Sequence, residues 1–229
     1  MSLPPPYDLK LAVAPEVRDG LGLHHVRVWS VRSASPLLEP VLGAAQAAAL
    51  LESLPREDSL AGYRSLLTAL GHPGTTPAGE RLRALVADRP WQGHGGLVDA
   101  VTLASVAAGG GVGLHDPGAL PAGSALVVRR SPGGERIVPA FSTRSRPVPA
   151  GDLTYGVEAS DGTFTPMAWL GRRDTDSAAH QVRPDSRGAL VVALGHPGDR
   201  PGHTESVIAS VGRVLEVLGL RAEIGPLPG

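Results

Sequence analysis

The spacing of hydrophobic and polar positions changes along the chain, and each change marks a different kind of element. After a proline-rich lead (Leu3 to Tyr7), Leu11–Val17 and Leu23–Val31 alternate and predict two short strands. The second would set His25, Arg27 and Trp29 on one face and Val26, Val28 and Ser30 on the other. From Leu37 to Leu54 the Ala- and Leu-rich spacing is helical, and a second helix runs from Asp58 to Leu70, stopped by Gly71 and Pro73. Thr76-Pro77 opens a third helix that continues through Arg81–Ala87 to Pro90. A glycine-rich turn, Gln92 to Gly96, leads into a buried central helix over Gly96–Ala108. Beyond Gly109–Gly111 the pattern becomes short apolar runs between Gly, Pro and Asp turns: Leu126–Arg130, Arg136–Pro139, Leu153–Val157, Phe164–Trp169 and Ala189–Leu194. These predict a mostly antiparallel sheet. A last helix carries Val207, Ile208, Val211, Val214, Leu215 and Leu218 on one face, with Thr204 as its N-cap and Gly219 as its stop. The expected architecture is α+β, a single domain over residues 1–229 with a flexible lead at 1–10 and a core from about 11 to 220.

Composition changes this picture little. The chain has 229 residues, of which 42% are apolar, ordinary for a globular domain. Its 30 Gly and 22 Pro, and a basic set that is all Arg apart from Lys10, are what a GC-rich genome produces, so single glycines carry little weight. A net charge of −1 gives no global field toward a polyanion, so any nucleic-acid contact must be local. No apolar run reaches the roughly 18 residues of a bilayer span and no leader pattern opens the chain, which predicts a cytoplasmic protein without a membrane partner. The absence of cysteine removes disulfides, thiolate nucleophiles and Cys-ligated zinc.

Several polar groups could carry chemistry. His115-Asp116 offers an imidazole that ordinarily titrates near working pH, or else a cap for the next turn. Asp99, Thr102 and Ser105 share one face of the central helix. The two hydroxyls either line a pocket or bond back to the helix backbone, and Asp99 either joins them or holds the preceding glycine loop. Arg172-Arg173-Asp174-Thr175-Asp176 could bind a phosphate or carboxylate or pair with itself, and His180 follows closely. Arg129, Arg130, Arg136, Arg144 and Arg146 cluster with only Glu135 to offset them, a local patch for phosphates or a solvated hairpin. Other motifs are excluded. Gly109–Gly113 lacks the Lys-Ser/Thr of a phosphate loop, no Ser sits in a Gly-x-Ser-x-Gly elbow, and His24, His25, His196 and His203 have no partners at ligand spacing. No metal and no cofactor is expected.

Three segments in order carry a resemblance: Tyr63-Arg64-Ser65-Leu66-Leu67-Thr68-Ala69-Leu70-Gly71, Gly96-Leu97-Val98-Asp99-Ala100-Val101-Thr102-Leu103-Ala104-Ser105, and Gly113-Leu114-His115-Asp116. Gly134–Pro139, Arg146–Tyr155 and Asp176–Val192 extend it to roughly residues 10–220. Together they resemble the stand-alone B3/B4 family, similar to the editing domain of the phenylalanyl-tRNA synthetase beta subunit. Thr102 stands where that family usually has Asn, Gly113 where the synthetase has His, and His180 where Thr is usual, so its amino-acid specificity is not carried over. The resemblance implies a protein acting in trans on the acceptor end of an aminoacyl-tRNA, hydrolysing the ester between amino acid and tRNA. Transfer or cyclisation of the aminoacyl group, and plain binding, are the alternatives. It places the ester in a cleft between the central helix and the sheet. His115, Asp116, His180 and Thr102 would be catalytic, and Asp99, Ser105, Gly113, Trp169, Arg173, Asp174 and Asp176 would bind substrate. Arg129, Arg130, Arg144 and Arg146 would hold the tRNA. Oligomeric state and the amino acid are left open.

Overall fold

The computed structural model describes residues 2–57, 59–172 and 174–229. The first half runs β1 (Lys10–Val13), α1 (Pro15–Arg18), β2 (Arg27–Ser33), α2 (Ala44–Ser53), α3 (Leu60–Ala69), α4 (Ala78–Asp88) and α5 (Gly96–Ala108). Then come β3 (Val112–His115), β4 (Ala125–Arg130), β5 (Arg136–Ile137), β6 (Arg146–Pro147), β7 (Leu153–Glu158), β8 (Phe164–Leu170) and β9 (Thr175–Asp176). A 3-10 turn over Ala178–His180, β10 (Gly188–Ala193), α6 (His203–Val217) and β11 (Ala222–Pro226) complete the chain.

The fold is α+β in three layers. One sheet has the order β11-β2-β10-β3 and the other β1-β4-β7-β8-β9, while β5 and β6 form a separate two-stranded arm. Every pairing is antiparallel except that of β1 with β4. Strand β10 explains the layering. Ala189, Val191 and Ala193 face a core shared with α2, α5 and α6, whereas Leu190, Val192 and Leu194 face a core shared with the second sheet. A strand covered on both sides must be apolar at every position, and this one reads Gly-Ala-Leu-Val-Val-Ala. Strand β2 does the same, with Trp29 and Val31 toward the helices and Val28 toward the other sheet.

Several sequence expectations shift for local reasons. The strand expected over Leu11–Val17 ends at Val13, because Pro15 occupies the first turn of α1, where its missing N–H costs nothing. The strand expected over Leu23–Val31 runs instead from Arg27 to Ser33, since burial on both faces erases the alternation that would fix its ends. The helix expected from Leu37 begins only at Ala44. Pro36, Pro40 and Gly43 interrupt the stretch before it, and Leu37 and Leu42 are buried one at a time. Thr204 does not cap α6. The cap position is Gly202, and the Thr204 hydroxyl donates to the His25 carbonyl at 2.8 Å. Gly219, with φ of 69°, follows the end of that helix as expected. The expected start of the second helix at Asp58 lies outside the described residues; α3 begins at Leu60. Strands β3 and β9 fall outside the expected apolar runs, as does β11, which closes the edge of the first sheet beside β2. Among the described residues no helix is long and apolar enough to cross a membrane.

Candidate functional site

A cavity of about 490 Å³ opens where β3 and β10 of one sheet meet β7 and the end of β8 of the other, with α4 as its lid. Its walls are mostly apolar: Leu82 and Leu85 from α4, Val112, Leu170, Val192 and Leu194. Into this lining project Arg81, Tyr155, Asp174 and Asp176. Gly113 completes the wall, and its lack of a side chain is required by space. A Cβ there would lie 2.0 Å from the Tyr155 hydroxyl and 2.9 Å from His115 Nε2.

The two carboxylates sit in different circumstances. Asp174 pairs with Arg81, its Oδ2 2.9 Å from Nη2. Burial raises its carboxyl above the usual range, and Arg81, with the backbone N–H of Ala78, offsets only part of the rise. This contact ties the start of α4 to the segment before β9. Among the described residues Asp176 has no Arg or Lys paired with it. Its side chain lines the cavity and is 56% exposed. Burial, and then the charge of Asp174, push its carboxyl up to about 6.

Behind this lining stands a buried pair. His115 Nε2 lies 2.7 Å from the Tyr155 hydroxyl and 3.9 Å from Asp176 Oδ1, and the two rings meet edge to face. Burial, with the nearby His180, drops the His115 imidazole to about 3, so it is neutral at working pH. Burial and the charges of Asp176 and Asp174 push the Tyr155 phenol well above its ordinary value. The pair therefore acts as a neutral hydrogen-bonding unit. Nδ1 of His115 is buried and has no partner among the described residues. With the proton on Nε2, donated to the phenol oxygen, only a lone pair is left unmatched and the phenolic hydrogen is free to point into the cavity.

The sequence-predicted residues divide around this centre. Gly113, Asp174 and Asp176 line the cavity, and His115 stands one layer behind it, bonded to Tyr155 and 3.9 Å from Asp176. The expectation that His115 titrates near working pH is corrected by its complete burial. His180 and Asp116 lie on the far side of His115. Asp116 N–H donates to the His180 carbonyl at 2.8 Å, and His180 Nδ1 lies 3.2 Å from the Asp116 carbonyl. Burial lowers the His180 imidazole, partly offset by Asp116. The Asp116 carboxylate accepts from Gly118 N–H and the Ser186 hydroxyl, the capping arrangement that was the alternative to catalysis, and it faces a different hollow beside Tyr7.

Other members of the expected cleft are elsewhere. The Thr102 hydroxyl donates to the Val98 carbonyl and that of Ser105 to the Val101 carbonyl, each at 2.8 Å, so the helix consumes both. The cleft lies against α4, not against α5. Asp99 holds the glycine loop, accepting from the backbone N–H groups of Leu42, His94 and Gly95. Trp169 is buried against Ile137 and Val148, and its indole N–H donates to Asp152. Arg173 lies outside the described residues. Arg129 is committed to Glu135 and Glu158 and stacks over Phe164, and Arg130 donates to the carbonyls of Gly151 and Ala69.

Sequence reading missed Arg81 and the α4 wall, and named Tyr155 only as the end of the Arg146–Tyr155 segment. No motif on α4 marks Arg81 in the sequence; the wall exists only once α4 packs over β3 and β10. Among the described residues no group of three or more His, Asp or Glu is placed to hold a metal ion. No protein-family model matches the chain, and no curated protein matches it.

Proposed function

We propose that the cavity under α4 binds the aminoacyl end of a charged tRNA and hydrolyses its ester. The observation that carries this is the convergence of two carboxylates, one of them paired with Arg81, and a neutral phenol–imidazole pair on one mostly apolar hollow. Asp174 and Asp176, against the single Arg81, leave the hollow with a net negative charge that suits an α-ammonium group, and the leucine and valine walls suit an amino-acid side chain. The resemblance to B3/B4 segments supports the same reading.

Hydrolysis needs a proton acceptor for water and a donor for the developing oxyanion. Asp176, unpaired and half-exposed in the cavity, is the acceptor. Tyr155, held by His115, is the donor. Water adds to the acyl carbon as Asp176 takes its proton, and the ribose oxygen leaves with that proton. Free amino acid and uncharged tRNA result. His115 is a positioning residue in this scheme.

The test is incubation of the protein with a panel of charged tRNAs. Release of free amino acid, lost in Asp176→Asn, supports the reading. A new amide or ring would instead assign acyl transfer, and retention without turnover would assign a binding module.

A further inference from the structure

The arm formed by β5 and β6 begins at the cavity and ends in an exposed aromatic ring. Pro139 bridges to Ser177, Ala140 N–H donates to the Asp176 carbonyl at 2.7 Å, and Ala178 N–H donates to the Val138 carbonyl at 2.8 Å. The arm is thus strapped to the segment that presents Asp176. The next residue, Phe141, is 97% exposed. It is also the only described residue other than glycine with positive φ, at 60°. Ser142 N–H closes a turn on the Pro139 carbonyl at 3.0 Å, which places Phe141 where Gly or Asn is the ordinary occupant. A bulky ring there is disfavoured by its backbone and by its solvation, and such outliers cluster at functional sites.

The surroundings are cationic. Between residues 136 and 151 there are three arginines, Arg136, Arg144 and Arg146, and no acid. Arg136 donates to the hydroxyl and carbonyl of Ser145 and so braces the arm. Arg144 and Arg146 are exposed, and their guanidinium groups make no hydrogen bond or ion pair among the described residues. The nearest acid in sequence, Glu135, is occupied by Arg129 and Ser131. An exposed apolar ring followed three and five residues later by two exposed guanidiniums matches a single-stranded nucleotide: the ring takes the base and the arginines take phosphates.

We infer that Phe141, with Arg144 and Arg146, is a stacking platform for an unpaired RNA 3′ end beside the cavity. The inference rests on reading the cavity as the site of a nucleotide ester, and it replaces the broader arginine patch. Arg129 and Arg130 are spent on internal contacts, which leaves two arginines for phosphate.

Fluorescence anisotropy with a labelled single-stranded RNA of about ten nucleotides tests it, against a blunt RNA duplex of equal length and vesicles containing phosphatidylserine. Phe141→Ala and Phe141→Leu are expected to weaken single-strand binding by about 5- to 100-fold, from the cost of losing one stacked base. Phe141→Trp retains it, and duplex binding stays the same in all three. The double variant Arg144→Ala with Arg146→Ala weakens both RNAs and lowers the single-strand salt slope by about 1.4. Thermal melting checks that the exposed substitutions leave the fold intact. Unchanged single-strand binding in Phe141→Ala overturns the platform, even if the wild type releases amino acid from charged tRNA. Vesicle binding that depends on Phe141, without RNA binding, overturns it in favour of a membrane surface. Phe141-dependent RNA binding with no release of amino acid from any charged tRNA supports the platform and defeats the hydrolytic reading.

Discussion

Placing a single methyl group on Gly113 tests the geometry of the site more sharply than removing any polar atom. In Gly113→Ala the new Cβ would lie 2.0 Å from the Tyr155 hydroxyl oxygen, 2.9 Å from His115 Nε2 and 3.1 Å from Tyr155 Cζ. Real contacts of this kind are not shorter than about 3 Å, so the phenol must move, and overpacking of a dense core costs about 1–3 kcal/mol. Tyr155→Phe removes the oxygen but leaves His115 Nε2 buried without its partner, a loss of about 1–3 kcal/mol. In the double variant the methyl occupies space vacated by the hydroxyl, and the tightest contact no longer exists. The two substitutions should therefore couple, with the double variant about 1–2 kcal/mol more stable than the sum of the singles. Urea unfolding followed by tryptophan fluorescence measures all three. On heating, each kcal/mol corresponds to a shift of about 2–4 °C for a chain of this size. Additivity within about 0.5 kcal/mol, or an unperturbed Gly113→Ala, would refute the close packing of Gly113, Tyr155 and His115 from which the neutral donor is argued.

Further outcomes follow from three carboxylates, Asp176, Asp99 and Glu57. If Asp176 is the proton acceptor, deacylation rises with pH as its carboxyl ionises near 6. Asp176→Asn should lower the rate 100-fold or more, and a wild-type profile flat from pH 5 to 7 would remove it from that role. The stability sign is opposite. A carboxyl raised in the folded state contributes stability below its unfolded value that is lost as pH passes through about 6, so Asp176→Asn should melt higher than wild type at pH 7. Asp99→Ala strands the N–H groups of Leu42, His94 and Gly95 and should cost about 3 kcal/mol or more. Asn, which keeps one acceptor oxygen, should cost roughly half of that, and equal losses for the two would show that the carboxylate does not hold the loop. At Glu57, burial works to raise the carboxyl, but His203, Ser206 and Arg200 outweigh it and hold it below the usual range. That stability is present at neutral pH and fades as pH falls through the folded value. Glu57→Gln should therefore flatten the acid arm of the melting curve, and an unchanged arm counts against the assignment.

Local rules read well where local forces decide. Helices α3 to α6 follow the 3.6-residue spacing of their apolar positions, and Gly109 and Gly219 end α5 and α6 because the left-handed conformation after a helix suits a residue without Cβ. The α+β class follows from the same periodicities. Asp99 in front of a glycine loop was legible as a carboxylate seeking backbone N–H groups, and the acidic run at Asp174 and Asp176 stood out among short apolar strands. The hydroxyls of Thr102 and Ser105 were not decided by spacing. A pocket and a return bond to the helix look identical in sequence, and here the helix carbonyls take both.

What only the tertiary structure decided is which distant groups share a dielectric environment. The sequence by itself supplied an imidazole at His115 and a phenol at Tyr155, 40 positions apart. Packing the two sheets face to face puts these groups 2.7 Å from each other and buries both, which removes the charge of the imidazole. In the proposed hydrolysis the proton-accepting role falls to Asp176, whose carboxyl is raised by burial and by the charge of Asp174. Desolvation is a property of everything that surrounds an atom, and a linear sequence lists only its neighbours along the chain.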